Sequence, residues 1–326
     1  MRKIEQVLFM VLALALMTVA SAYSQGKTAQ INYPKRAVKI VVPFDVGGGA
    51  DAQIRSMTSY FQKELGQPFV IINMPGAGGT IGTADGLRAK GDGYTLVFTG
   101  SGPLVTQPFI LNLPYTENDY AVISQLSDTP RLVVANPKAP YNDFREMMEF
   151  AQKNPGKILV GISAIGSTDH FGMEQLKLDN KVVMKLIPQG GGGPQKVAVI
   201  GGHVDVAALT TVEAASAVKA NQVKPLAIMA SKRDPAYPDV KTCAEYGYPV
   251  ESGVGYYLLA PKSIPADVLK KIDATVHKIL SDKEYLELAK KANLAITYQS
   301  GEDTAKEIRK TYNLYKGVAE KIGFKK

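Results

Sequence analysis

Short β-branched runs alternate with stretches of helical spacing along most of this 326-residue chain, and that order limits the folds open to it. AVKIVVPF (37–44), FVIINMP (69–75) and YTLVFTG (94–100) read as strands. Between the first two, Ile54, Met57, Phe61 and Leu65 recur at helical spacing, and Gly66 ends the pattern. A second set follows: RLVVANP (131–137), a helix near 142–154, KILVGIS (157–163), a helix near 168–178 and KVVMKLIP (181–188). HVDVAALT (203–210), a helix near 211–220 and VKPLAIMA (223–230) complete it. GYYLLAPKSIP (255–265) predicts a further strand, with helices near 266–280, 284–291 and 301–319 after it. Strand–helix–strand order predicts parallel sheets with crossover helices. Two such groups in a chain of this length predict two α/β domains.

The N-terminus reads as an export signal. Arg2 and Lys3 precede an apolar run from Val7 to Ala20, and Ala20-Ser21-Ala22 is an A-x-A cleavage site, so residues 1–22 are expected to be removed. The run is too short for a membrane anchor of about 20 residues. The single cysteine, Cys243, excludes an internal disulfide and a cysteine metal cluster, and is expected to be a small buried hydrophobe. An exported, unlipidated chain without disulfides suits the periplasm of a Gram-negative bacterium. The formal charge of +8 is spread over short runs and tryptophan is absent, so no nucleic-acid surface is expected. No two histidines stand at metal-ligand spacing, so no metal site is expected either.

Glycine- and Ser/Thr-rich loops fall at the strand ends: 45–51, 75–82, 100–103, 163–168 and 189–194. In open α/β sheets ligands bind outside the carboxyl ends of the strands. GGGAD (47–51) lacks the Gly-Lys-Ser/Thr that lets a P-loop reach phosphates. GAGGTIG (76–82) places its third glycine one residue late for a dinucleotide fingerprint, so no cofactor is expected. In GISAIG (161–166), Ile165 stands where a nucleophile elbow needs glycine. No catalytic residue is expected, and a secreted serine hydrolase using Ser163 and His170 is the alternative. What remains is anion capture by main-chain amides and the positive end of the helix dipole. GGGAD, GAGGT and SAIGSTD each precede a helix, the last adding the hydroxyls of Ser163, Ser167 and Thr168. Asp51 is expected to cap its own helix and pin the glycine loop. Three glycines in a row exceed what a turn requires, so a ligand carboxylate is expected on the amides of Gly48 and Gly49.

YPKRAVKIVVPFDVGGGAD, LGQPFVIINMPGAGGTIGT, GDGYTLVFTG, NPGKILVGISAIGSTDH, GGHVDV, VKPLAIMASKRDPAYPDVKTCAEYGYP and LLAPKSIPADV stand in that order. Together they resemble the substrate-binding receptors of tripartite tricarboxylate transporters, the Bug family of periplasmic proteins. The resemblance implies a periplasmic-binding-protein-like α/β fold: two lobes with mainly parallel central sheets, joined by two crossing strands, with a ligand cleft between them. Lobe 1 would comprise 23–128 plus 230–326, and lobe 2 would comprise 129–229. The resemblance also implies a small organic carboxylate held largely by main-chain amides and ordered waters. Phe44 and Gly47 to Gly49 would serve from one lobe, and Ser163, Ala164, Ser167 and Thr168 from the other. Asp51, Gly78, Gly100, Ser101, Gln189 and Thr210 complete the expected set. The implied protein is a monomer without a membrane anchor, delivering its ligand to membrane permease subunits; a sensor kinase is the alternative partner.

Two departures stand out. Family members commonly read V-P-Y-K-G-G-A-P where this chain has IPQGGGGP, so Gln189 and Gly190 replace an aromatic and a lysine. Leu209 and Thr210 stand where members often carry Asp-Asn. An acid there could pair with a ligand amine; Leu209 cannot, which points to a plain or partly apolar carboxylate.

Overall fold

In the computed structural model, which describes residues 31–324, the first group forms β1 (Val38–Val42), α1 (Gly49–Leu65), β2 (Phe69–Asn73), α2 (Thr80–Leu87), β3 (Thr95–Gly100) and the short α3 (Gly102–Val105). The expected signal segment, 1–22, lies outside the described residues. The spacing of Ile54, Met57 and Phe61 turns all three to one face of α1, where they are wholly buried. Gly66 ends that helix at φ 74°, its N–H donating to the Gln62 carbonyl. β1 lies between β2 and β3, parallel to both.

β4 (Tyr120–Ala135) is 16 residues long and serves both halves of the molecule. Through Pro130 it pairs antiparallel with β9 (Gly253–Pro261), which also lies antiparallel to β3. From Arg131 onward it pairs with β7 (Val206–Thr210) and β8 (Lys224–Met229). The remaining elements between these strands are α4 (Phe144–Lys153), β5 (Leu159–Ile162), α5 (Thr168–Asn180), β6 (Lys185–Pro188), α6 (Gly192–Gly201) and α7 (Thr211–Lys219). β5 lies between β6 and β7, parallel to both. After β9 come α8 (Ala266–Leu280), α9 (Lys283–Lys291), β10 (Gln299–Ser300) and α10 (Gly301–Ile322). The strand path β2-β1-β3-β9-β4-β7-β5-β6 therefore runs from one lobe into the other, with parallel pairs at both ends and antiparallel pairs in the middle.

Each lobe has an apolar core on both faces of its sheet. In lobe 1, Ile40, Phe61, Phe98 and Ile272 fill one side, and Leu104, Tyr257 and Tyr315 the other. In lobe 2 the sides are Val133, Phe144, Met173 and Cys243, and Leu132, Val199 and Leu209. Burial of each large side chain contributes about 1.5–3 kcal/mol, which fixes which face of each element turns inward. Burial also pushes the Cys243 thiol up. Of the residues just beyond 230, Cys243 and Val250 are part of the second core, and Thr242 bridges to Ile228. The two crossings lie side by side. Arg131 N–H donates to Ser252 O at 2.8 Å, and Ser252 N–H to Met229 O at 2.9 Å. No helix among the described residues is long and apolar enough to cross a membrane.

Candidate functional site

The three glycines after β1 differ in their surroundings. Gly47 has φ 80°, a conformation that favours glycine, and its N–H donates to Asp51 Oδ2 at 3.0 Å. Gly48 is the residue before α1, and its N–H donates to Asp45 O at 3.2 Å. Gly49 is exposed and opens the helix, so its N–H and those of Ala50 and Asp51 have no intrahelical acceptor. The donors the loop can offer an anion thus begin at Gly49; of the Gly48–Gly49 pair expected from sequence, Gly48 is already bonded to Asp45 O. A Cβ on Gly49 would lie 3.6 Å from the Tyr256 hydroxyl.

Asp51 holds this loop in place. Besides Gly47, its carboxylate accepts from Arg55 Nε at 3.1 Å and from Asn73 Nδ2 at 3.0 Å, and Asn73 also reaches Phe44 O at 3.1 Å. The Arg55 hydrogen bond, acting against burial and aided by Gly47 and Asn73, holds the Asp51 carboxyl down at about 2. A depressed pKa contributes stability above the ordinary carboxylate range and loses it as pH falls through the folded value. Asp51 makes no cap bond to α1, contrary to the expectation from sequence, because its carboxylate turns back to Gly47, Arg55 and Asn73. Asp51→Ala should therefore cost about 1 kcal/mol near neutral pH, the usual net worth of a hydrogen bond. The gap in melting temperature from the native protein should close as pH falls from about 4 towards 2. A gap that does not change with pH would show that the carboxylate does not pin the loop.

The rest of the lobe 1 wall is assembled around Phe44. Its ring lies 3.0 Å from where a Cβ on Gly79 would sit and 3.4 Å from one on Gly100, and it meets Tyr256 edge-on at 6.4 Å. Gly78 is exposed at φ 63°, with Gln107 against it. Ser101 is buried, and its hydroxyl has no partner.

In lobe 2 the loop after β5 is held by Asp169, which is wholly buried. Its two oxygens accept from Ser163 N–H at 2.6 Å and from Ser163 Oγ–H at 2.7 Å. Ser167 Oγ donates to Ala164 O at 2.6 Å and caps α5 by accepting from His170 N–H at 3.4 Å. His170 Nδ1 accepts from Gly166 N–H at 3.1 Å, and its Nε2 lies 3.9 Å from Glu174, so the Ser163–His170 pair of a hydrolase is not assembled. Burial pushes His170 down. Gly166 packs so tightly on Ile110 of lobe 1 that a Cβ there would overlap it.

Gln189 and Thr210 are occupied locally. Gln189 Nε2 donates to Ile187 O at 3.1 Å, and Thr210 forms a reciprocal capping box with Glu213 at the start of α7. Leu209 is wholly buried in the lobe 2 core. Its side chain does not meet the cleft, so the argument from Leu209 towards a plain carboxylate falls.

Three residues that sequence reasoning passed over, Arg131, Glu213 and Tyr256, lie at the junction. Arg131, only 5% exposed, donates to Thr168 Oγ1 at 3.3 Å and Ala208 O at 3.4 Å, and lies 3.6 Å from both Asp169 and Glu213; its Nε has no partner. Tyr256, on β9 of lobe 1, has its phenol pushed up by burial, with Glu213 of lobe 2 adding to the shift and Arg131 opposing it. Thr-x-x-Glu at 210–213 is a legible capping signal. An arginine heading a strand-like run carried no signal of its own. Among the described residues no group of three or more His, Cys, Asp or Glu could hold a metal ion. A cavity of about 320 Å³ lies elsewhere, between α3 and α10, lined by Leu104, Tyr115, Ile308 and Tyr312. The junction can capture an anion with neutral donors at two helix starts, but it brings no nucleophile and base together.

Residues 54–324 match the family model described as the tripartite tricarboxylate transporter family receptor. Protein BugT of Bordetella pertussis is 29% identical over 273 residues, covering 82% of this chain and 84% of its own. Among solved structures, a TctC solute binding protein from Polaromonas superposes with a TM-score of 0.81 at 27% identity, covering 89% of this chain and 99% of that one. MatC from Rhodopseudomonas palustris, with bound malate, gives 0.71 at 28% identity, with 88% and 100% covered. A second R. palustris protein, with adipate, gives 0.76 at 25% identity, with 89% and 98% covered.

Proposed function

This chain belongs to the tripartite tricarboxylate transporter receptor family, and from that membership we propose that it is a periplasmic receptor which closes on a small organic carboxylate and delivers it to membrane permease subunits. The family and the similar structures are solute-binding receptors. The observation that carries the ligand class is the pair of helix starts, α1 in lobe 1 and α5 in lobe 2, each behind a loop whose amide is tied to a buried aspartate. Pinned loops hold the first-turn N–H groups in position before the ligand arrives, and a carboxylate is the small anion such donors suit. Malate and adipate in two similar structures support the same class.

In this reading the ligand meets Phe44, Gly49, Gly78, Gly100, Ser101 and Tyr256 on one side. On the other it meets the 163–168 loop, Gln189 and Thr210. The lobes exchange at 129–131 and again near 252–253. The chain works as a monomer exported by its cleaved first 22 residues.

A saturating carboxylate should stabilise the protein by about 2.7 kcal/mol at 100 times its dissociation constant. Melting followed by circular dichroism or calorimetry detects this; tryptophan fluorescence does not, since the chain has no tryptophan. A panel of mono-, di-, tricarboxylates and aromatic acids in which no member shifts the melt would overturn the receptor reading.

A further inference from the structure

Resting on the receptor reading, the geometry points to a ligand with a carboxylate at one end and a hydrogen-bond donor, hydroxyl or ammonium, at the other, and to Glu213 as the residue that rejects a second carboxylate. The lobe 2 wall holds three charged side chains in contact range: Arg131, Asp169 and Glu213. Asp169 is wholly buried and Arg131 is 5% exposed, and the two oppose one another inside the wall. Glu213 differs from both, because its side chain is 38% exposed. The wall therefore carries one cation and two anions, and the anion left over is the one open to solvent.

The protein makes room for that carboxylate. Glu213 Oε2 accepts from Thr210 N–H at 2.9 Å and stays 3.6 Å from Arg131. Oε1 is pressed over Gly192 at the head of α6, where any Cβ would overlap it. Across the junction, lobe 1 presents the open N–H groups of Gly49 and Ala50, beside the Tyr256 hydroxyl. The Glu213 charge acts on the Tyr256 phenol, whose hydroxyl lies 3.6 Å from a Cβ on Gly49, so a carboxylate of lobe 2 stands across the junction from the neutral anion seat at the start of α1. A ligand with two carboxylates would bring its second charge against Glu213 in a closed space, where like charges repel far more than in bulk water. A hydroxyl or ammonium at that end instead donates to Glu213.

Glu213→Gln isolates the charge, since glutamine at this helix position can accept the same Thr210 N–H. Succinate, glutarate and adipate are titrated calorimetrically against the ω-hydroxy and ω-amino acids of the same chain lengths. The native protein should bind a donor-bearing member at least about tenfold more tightly than its matched dicarboxylate, about 1.4 kcal/mol, and Glu213→Gln should bring the pair near parity or reverse it. The hydroxy and amino arms identify which donor is preferred. A native protein that prefers the dicarboxylate overturns the inference and leaves the receptor reading standing, as does a preference that survives in Glu213→Gln. A native protein that binds none of these, nor any other carboxylate, overturns both. The comparison within the native protein decides the ligand preference even if the variant folds poorly.

Discussion

Asp169→Ala should be the most damaging single substitution in the lobe 2 wall, costing about 3–5 kcal/mol, the usual range when one partner of a buried ion pair is removed. Burial alone would push the Asp169 carboxyl up, but Arg131 and the serine hydrogen bonds outweigh it and hold the group below its ordinary value. Without Asp169, Arg131 would keep only Glu213 as an acidic neighbour, and Ser163 would lose the acceptor of both its N–H and its hydroxyl. Gln195 Nε2, at 3.3 Å, would lose one of its acceptors as well. Thermal and urea melts at neutral pH read the loss. Replacing Arg131 and Asp169 together by apolar residues should recover much of it, because the cost lies in the unpaired charge more than in the pair. A loss below about 1 kcal/mol for Asp169→Ala would mean that the pair is not coupled as the geometry requires.

Gly49→Val should leave the fold largely intact and weaken carboxylate binding at least tenfold, about 1.4 kcal/mol. A Cβ at residue 49 meets only the Tyr256 hydroxyl, at the ordinary contact distance of 3.6 Å, and no left-handed φ is required there. Valine's methyl groups would stand over the first-turn N–H groups that the ligand needs. Gly47→Val is the contrasting variant: φ of 80° imposes strain of about 1–2 kcal/mol, while a Cβ there meets nothing within 4 Å. Measuring melting temperature and affinity on both proteins separates the roles. Undiminished affinity in Gly49→Val would remove the anion seat from α1.

The alternation of strand and helix was legible because each segment follows one period with one buried face, as in α1, whose Gly66 stop sits where the pattern ends. The first part of β4 was not. Ser124, Gln125 and Ser127 are buried in it, and polar residues inside a crossing strand break the apolar run that marks a strand. α6 was hidden by four consecutive glycines and a proline, which read as a loop although proline is tolerated in a first helical turn. At the site, the glycine and serine loops announced themselves. Arg131 and Tyr256 did not, because each gains its meaning only when the other lobe is folded against it. Leu209 misled for the same reason: nothing in the sequence says whether a strand residue turns towards the core or the cleft.

The side-by-side crossings at Arg131 and Ser252 also set a timetable for synthesis. Everything between them is one continuous length of chain, so β5, β6, β7 and β8 can meet soon after they are made. The first three strands cannot finish so early. The open edge of β3 waits for β9, and the face bearing Ile40 and Phe61 waits for Ile272 and Ile279 of α8. Until then a nascent chain carries an unpaired strand edge and an uncovered apolar face, the two features that make folding intermediates stick to one another. The length of that vulnerable interval is set by the lobe inserted in the middle, so every residue added to lobe 2 prolongs it.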